Sequence, residues 1–191
     1  MENLLTQIRQ CRTCEAHLPH GCRPVIAFAP ESRILIIGQA PGRRVHESGI
    51  PWHDASGDNL RSWLGIDKTV FYDTRKIALM PMGFCYPGTG KSGDLPPRPE
   101  CAPQWHAQIL EKMPNLQLIL LIGQYAQNHY LGKAAKENLT ETVRVFQAYL
   151  PTYFPLPHPS PRNNIWQKKN DWFGTALLPE LRHTVGALLQ G

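Results

Sequence analysis

The side chains able to do chemistry fall into three stretches of the chain. The first stretch holds thiols. Cys11 and Cys14 form a C-x2-C pair, Cys85 and Cys101 form a second pair with fifteen residues between them, and Cys22 is left over. A C-x2-C turn offers two thiolates to one metal ion or cluster, and a second pair from a distant loop completes four ligands. Tetrahedral zinc and an iron–sulfur cluster both suit four thiolates. The plainer alternative is a set of buried thiols packed as small hydrophobes.

The second stretch, GQAPGRRVHESGIPWHDASGD, follows the apolar run Ile34 to Ile37 directly. Gly38 and Gly42 let the backbone come close to a flat or anionic ligand. Trp52 follows Pro51 and precedes His53 and Asp54, so it is a rigidly held aromatic able to stack on a nucleobase. A core Trp is the competing reading. The third stretch, HPSPRNNIWQKKNDW, is stiffened by Pro159 and Pro161. His158 heads it, either as a structural histidine or as the proton-handling group. Ser160, Asn163 and Asn164 supply hydrogen bonds suited to phosphate, and Arg162, Lys168 and Lys169 supply charge.

These stretches need a frame, and the apolar pattern provides one. Short buried strands are expected over 33–37, 77–82 and 116–123, with a fourth in YFPLPHPSPRN. Helices are expected over 2–10, 57–64, 101–112, 124–132, 139–149 and 172–189. Asp58 is read as the cap of the 57–64 helix, Gly65 as its end, and Pro179 as an interruption of the last helix. Strands alternating with helices predict a three-layer α/β/α fold in one domain over 1–191, with a mainly parallel central sheet of about four strands. Ligands bind beyond the carboxyl ends of such strands. The loops 38–58, 83–100 and 158–170 all begin there.

Composition narrows the classes. The chain has 191 residues, a net charge of +5, a pI near 9.0 and 18 prolines. That is a mild bias toward polyanions and many rigid loops. The N-terminal MENLLTQIRQCRTC lacks the apolar core of a signal peptide. No apolar run approaches the ~20 residues of a membrane span. The expectation is a cytoplasmic monomer with no membrane partner, where disulfide frameworks are uncommon.

Taken together, the motifs resemble the uracil-DNA glycosylase superfamily, closest to its family 4 branch. That branch carries G-E-A-P-G, six residues, G-x-P-F and a small-residue–Gly pair. Here the pattern stands as Gly38-Gln39-Ala40-Pro41-Gly42, six residues, Gly49-Ile50-Pro51-Trp52, then Ser56-Gly57. The second motif stands as His158-Pro159-Ser160, extended as in single-strand-selective monofunctional uracil glycosylases. The family's cluster ligands match Cys11, Cys14, Cys85 and Cys101. The resemblance spans about residues 10–175.

The resemblance implies a repair enzyme that flips uracil, or a related deaminated base, out of DNA and hydrolyses its glycosidic bond. It implies a [4Fe–4S] cluster on the four cysteines, with zinc or no metal as alternatives. It implies that His158 meets the charge on the leaving base, with help from the amides of Gln39 and Ala40, that Trp52 stacks on the base, and that Ser160, Arg162, Asn163 and Lys168 hold DNA. Three departures stand out. Gln39 and Ala40 occupy positions where relatives carry acids, and Pro81 replaces the Asn that reads the uracil edge. Asp54 is the best substitute for the missing acid, ahead of His53, His46 and Glu47. A backbone group near Met82 or Gly83 is the substitute for the base reader. The competing functions are a damaged-DNA binding protein with a degenerate pocket, and a glycosylase-fold protein acting on another nucleoside.

Overall fold

The computed structural model describes residues 2–190. Among the described residues six strands are formed: β1 Ile34–Ile37, β2 Ile77–Leu79, β3 Thr89–Gly90, β4 Gly93–Asp94, β5 Leu118–Ile122 and β6 Tyr153–Leu156. Four of them make the central sheet in the order β2-β1-β5-β6, with every neighbour parallel. β3 and β4 form a separate small hairpin in the long loop. The helices are α1 Glu2–Arg9, α2 Arg43–Ser48, α3 Ala55–Leu64, α4 Lys68–Phe71, α5 Ala107–Leu110, α6 Gln124–Leu131, α7 Leu139–Arg144, α8 Asn164–Lys169 and α9 Leu178–Gln190.

The apolar runs are strands because both sheet faces are covered. Ile34 and Ile36 pack with Leu60, Leu64, Leu181 and Val185 of α3 and α9 on one face. Leu35 and Ile37 pack with Ile8, Trp105, Ile109 and Ala126, from α1, α5, α6 and the turn before α5, on the other. This is the expected three-layer architecture. The free edge of β2 is covered by residue 27: the Ala27 N–H donates to the Leu79 carbonyl at 3.0 Å, and the Leu79 N–H donates back at 2.7 Å. Covering an edge strand in this way removes a template for unwanted pairing. Among the described residues no helix is long and apolar enough to cross a membrane.

Several element boundaries differ from the sequence expectation. The 57–64 helix begins at Ala55, because Asp54, not Asp58, is its cap and accepts the Gly57 N–H at 2.9 Å. Asp58 instead pairs with Arg61 at 2.6 Å. Pro179 does not interrupt the last helix. The chain is helical without a break into α9, and the backbone widens into a π-turn over Phe173–Leu177 just before Pro179, the second residue of α9, where the missing N–H is accommodated without ending the helix. The 101–112 segment likewise opens with a π-turn over Ala102–His106 before α5. The 77–82 strand ends at Leu79, two residues before Pro81, which has no N–H to extend a ladder.

Candidate active site

The three loops meet over the carboxyl ends of β1, β2 and β6 and enclose a cavity of about 390 Å³. One wall is Trp52. Its φ of 56° is left-handed, unusual for a bulky residue, and is held by contacts on its carbonyl. The buried Arg61 guanidinium donates to that carbonyl at 3.4 Å, and the Tyr72 hydroxyl bonds the neighbouring Pro51 carbonyl at 3.0 Å. A Cβ at Gly57 would stand 1.8 Å from the Trp52 carbonyl oxygen, so only Gly fits there. A Cβ at Gly38 would stand 2.8 Å from the Trp52 ring. Gly38 therefore makes room for the indole rather than for a ligand directly.

His158 stands opposite, with its ring centroid 6.0 Å from that of Trp52. The Ser160 N–H donates to His158 Nδ1 at 3.2 Å. An Nδ1 that accepts carries no proton, so the neutral ring carries its hydrogen on Nε2. Burial pulls the imidazole below its ordinary pKa, and the carboxylates of Asp54 and Asp94 partly oppose this. The loop is fixed from both sides: Asn163 Nδ2 donates to the His158 carbonyl at 2.7 Å, and Asn59 Nδ2 to the Pro159 carbonyl at 2.9 Å.

Two carboxylates line the cavity. Asp54 commits Oδ1 to the α3 cap, while its Oδ2 lies 4.0 Å from where a Gly42 Cβ would stand. Asp94 Oδ2 lies 3.4 Å from the same point. Asp94 arrives on the β3–β4 hairpin and went unrecognised in the sequence, where GKSGDLPP reads as loop alone. It is exposed as a residue, yet its carboxyl faces the cavity, where burial raises its pKa. The Tyr86 hydroxyl and Arg162 pull the other way, and Asp54 adds to the rise. Gln39 does not lie idle beside them: its side-chain amide donates to the Leu95 carbonyl at 3.2 Å and pins the hairpin.

The wall from Pro81 to Gly83 departs from expectation. The Met82 N–H donates to the Gly38 carbonyl at 2.8 Å and the Gly83 N–H to the Gln39 carbonyl at 3.0 Å. Of the backbone groups expected near Met82 or Gly83 to read the base, the two N–H donors are thus already engaged, and Gly83 packs against Pro97 and Arg98 instead of lining the cavity. Pro81 does line it, and its carbonyl meets Nε2 of the buried His106 at 3.2 Å. His106 Nδ1 meets the Tyr130 hydroxyl at 2.7 Å. Burial lowers the His106 pKa to about 4. Neither Arg61 nor His106 stood out in the sequence, because each reads as an ordinary helical polar residue.

The remaining candidates divide. Gly38, Gln39, Ala40, Ser160 and Arg162 line the main cavity with Trp52 and His158. Asn163 lines a neighbouring cavity of about 290 Å³, beside Gln39 and Gly123. Lys168 is exposed on α8 and lines neither. His46 lies apart, tilted against His20 and Tyr86, with a buried Nδ1 that lacks a partner.

All five cysteines are free thiols in one corner beneath the long loop. Cys14, Cys22 and Cys85 share one apolar cluster, whereas Cys11 and Cys101 pack in the adjoining one. Cys22 packs against Cys14 and Cys85 and so lies among the other thiols. Burial pushes Cys85 up to about 12 and Cys101 up to about 11. The Phe84 N–H donates to the Cys101 sulfur at 3.4 Å. Among the described residues no group of three or more His, Cys, Asp or Glu side chains is arranged to hold a metal ion.

The family model of the uracil DNA glycosylase superfamily matches residues 26–182, and the chain belongs to that superfamily. Among solved structures, the fold is similar to the solution NMR structure of a candidate uracil DNA glycosylase from Methanosarcina acetivorans. That likeness has a TM-score of 0.47 at 16% identity and covers 83% of this chain and 94% of that one.

Proposed function

We propose that this protein is a monofunctional DNA glycosylase that flips uracil, or a related deaminated base, into the Trp52–His158 cavity and hydrolyses its glycosidic bond. The observation that carries this reading is the tautomer of His158. Its Nδ1 is occupied by a backbone N–H of its own loop, which leaves an Nε2–H donor on a neutral ring beside an aromatic wall. Breaking the bond puts negative charge on the base and positive charge on the sugar. A donor aimed at the base oxygen strengthens as that charge grows, which is the property a catalytic group needs. Amides at Gln39 and Ala40 share the task, Trp52 stacks on the base, and Asp54 orients the water with its free oxygen. Ser160, Arg162, Asn163 and Lys168 grip the DNA backbone as the protein acts as a cytoplasmic monomer.

The test is direct. Labelled DNA carrying uracil, hypoxanthine or xanthine is incubated with the purified protein and abasic sites are cleaved with alkali. A strand break at the modified position is expected with at least one base. Gln39 and Ala40, uncharged at the positions where relatives carry acids, favour one second reading, a damage-binding protein that does not cut. Tight binding of the modified DNA with no base release would establish that reading instead.

Cys11, Cys14, Cys85 and Cys101 would hold a [4Fe–4S] cluster, with zinc as the lesser alternative. What supports this is the chemistry and pairing of the donors, four thiols from two chain segments in a C-x2-C pair and a later pair; as they stand, the described side chains do not close into a ligand group. The cluster would tie the N-terminal segment to the long loop, and no step of the hydrolysis runs through it. Anaerobically purified protein is expected to be brown and to carry about four irons per chain. Finding neither iron nor zinc rejects the proposal.

A further inference from the structure

We propose that Asp94 takes the proton from the attacking water and that Gln39 is its positioning residue. This rests on the glycosylase reading above and assigns the one role that reading leaves without an acceptor.

Hydrolysis needs a place for the water's proton, and the cavity offers two carboxylates. Asp54 is compromised. Its Oδ1 accepts the Gly57 N–H at 2.9 Å and so serves the cap of α3, which leaves only one oxygen for the cavity. Asp94 has no helix end to serve. It reaches the space above Gly42, where its Oδ2 and that of Asp54 lie 3.4 Å and 4.0 Å from the point a Cβ would occupy. Glycine at 42 keeps this space open for a small molecule such as water.

The hairpin that carries Asp94 is built in, not loosely attached. Thr89 pairs with Asp94 across β3 and β4. The Leu95 N–H donates to the Gly88 carbonyl at 2.8 Å, and the Leu95 carbonyl accepts from the Gln39 side chain at 3.2 Å. Tyr86, almost wholly buried, lies 2.5 Å from Thr89 Oγ1 through its hydroxyl, and the same hydroxyl holds the Asp94 pKa down. Gln39 therefore has a job that needs an amide and not an acid. Its N–H docks the hairpin by donating to a carbonyl, and a carboxylate there would repel that oxygen.

The step balances as follows. The C1′–N bond breaks and its electron pair passes to the base, where the His158 Nε2–H meets the charge. A water oxygen bonds to C1′ and its proton passes to Asp94. The base leaves as an anion and takes a proton from solvent, and Asp94 returns its own to solvent. The groups facing Asp94 are Tyr86, Arg162, Asp54 and His158. Burial and Asp54 raise its pKa, and this makes it a better acceptor at neutral pH.

Single-turnover excision and DNA affinity, measured against pH on the full chain, test the idea. Asp94→Asn is expected to slow excision ~10²–10⁴-fold, to leave DNA affinity unchanged, and to abolish the acid limb of the rate profile. Gln39→Ala should slow excision less and keep the limb. Asp54→Asn keeps a competent cap, since Asn caps as well as Asp. By removing a neighbouring negative charge it should move the limb to lower pH. That shift tests the assignment even if Asp94→Asn fails to fold. Full activity in Asp94→Asn, or an acid limb unmoved by Asp54→Asn, overturns the role of Asp94 and leaves the glycosylase reading standing. Absence of base release by the unsubstituted protein overturns both.

Discussion

His158 and His106 are both neutral and both held by hydrogen bonds to ring nitrogens, yet they are built for opposite duties. His158 spends Nδ1 on the Ser160 N–H and keeps Nε2 for the cavity. His106 spends both nitrogens inside the fold, one on the Tyr130 hydroxyl and one on the Pro81 carbonyl. A ring with a spare donor in a cavity can act on a substrate. A ring with none can only hold a wall in place. Accounting for each nitrogen thus leaves His158 with a donor to offer a substrate and His106 with none, a distinction that burial alone does not make.

The strongest way to break this comparison is His158→Ala. If Nε2–H meets charge that develops on the leaving base, its removal should slow excision ~10²–10³-fold while DNA binding stays nearly intact. An equal loss of binding and rate would mean that His158 holds the loop rather than the transition state.

His106 should announce itself through stability. Its pKa is about 4 folded, against 6.5 unfolded. The unfolded chain therefore binds the extra proton between those values, and stability is complete above the unfolded value and lost as pH falls toward the folded one. Between pH 7 and pH 5 this single group should remove roughly 2 kcal/mol, read from urea midpoints. His106→Phe should flatten that part of the profile, although it forfeits the bonds to Pro81 and Tyr130. An acid loss that is unchanged in His106→Phe would assign it to other groups.

How far the sequence reveals such pairs depends on how local the signal is. The parallel strands were legible because runs such as Ile34 to Ile37 and LILLI are apolar on both faces, which only a covered sheet satisfies. Trp52 and His158 were legible because proline and glycine stiffen the loops around them. Asp94 was not, since its meaning depends on a hairpin of two-residue strands and on a bond from Gln39, 55 positions away from it and 56 from the Leu95 it meets. The cap of α3 was misplaced for a similar reason: Asp54 and Asp58 both precede good helical residues, and only the fold decides between them. The engaged amides of Met82 and Gly83 are tertiary bonds to β1's exit loop, invisible in any pattern of residue types.

The smallest expected effect sharpens the comparison at its edge. Arg162 lies in the turn after His158, where its Nη1 comes within 3.8 Å of the position a Gly93 Cβ would take. It is exposed, whereas His106 is buried. If the cavity binds DNA as proposed, an exposed arginine on its rim meets phosphate, so Arg162→Gln should weaken binding evenly across sequences and reduce the salt dependence of log K by about one. The same charge also lowers the pKa of Asp94, so its removal should move the acid limb of excision upward. The two readouts are independent, one in affinity against salt and one in rate against pH. A changed salt slope with an unmoved limb would leave Arg162 on DNA and take it away from Asp94. An unmoved salt slope with a shifted limb would place it with the carboxylates alone, as part of the catalytic rim rather than the grip on DNA.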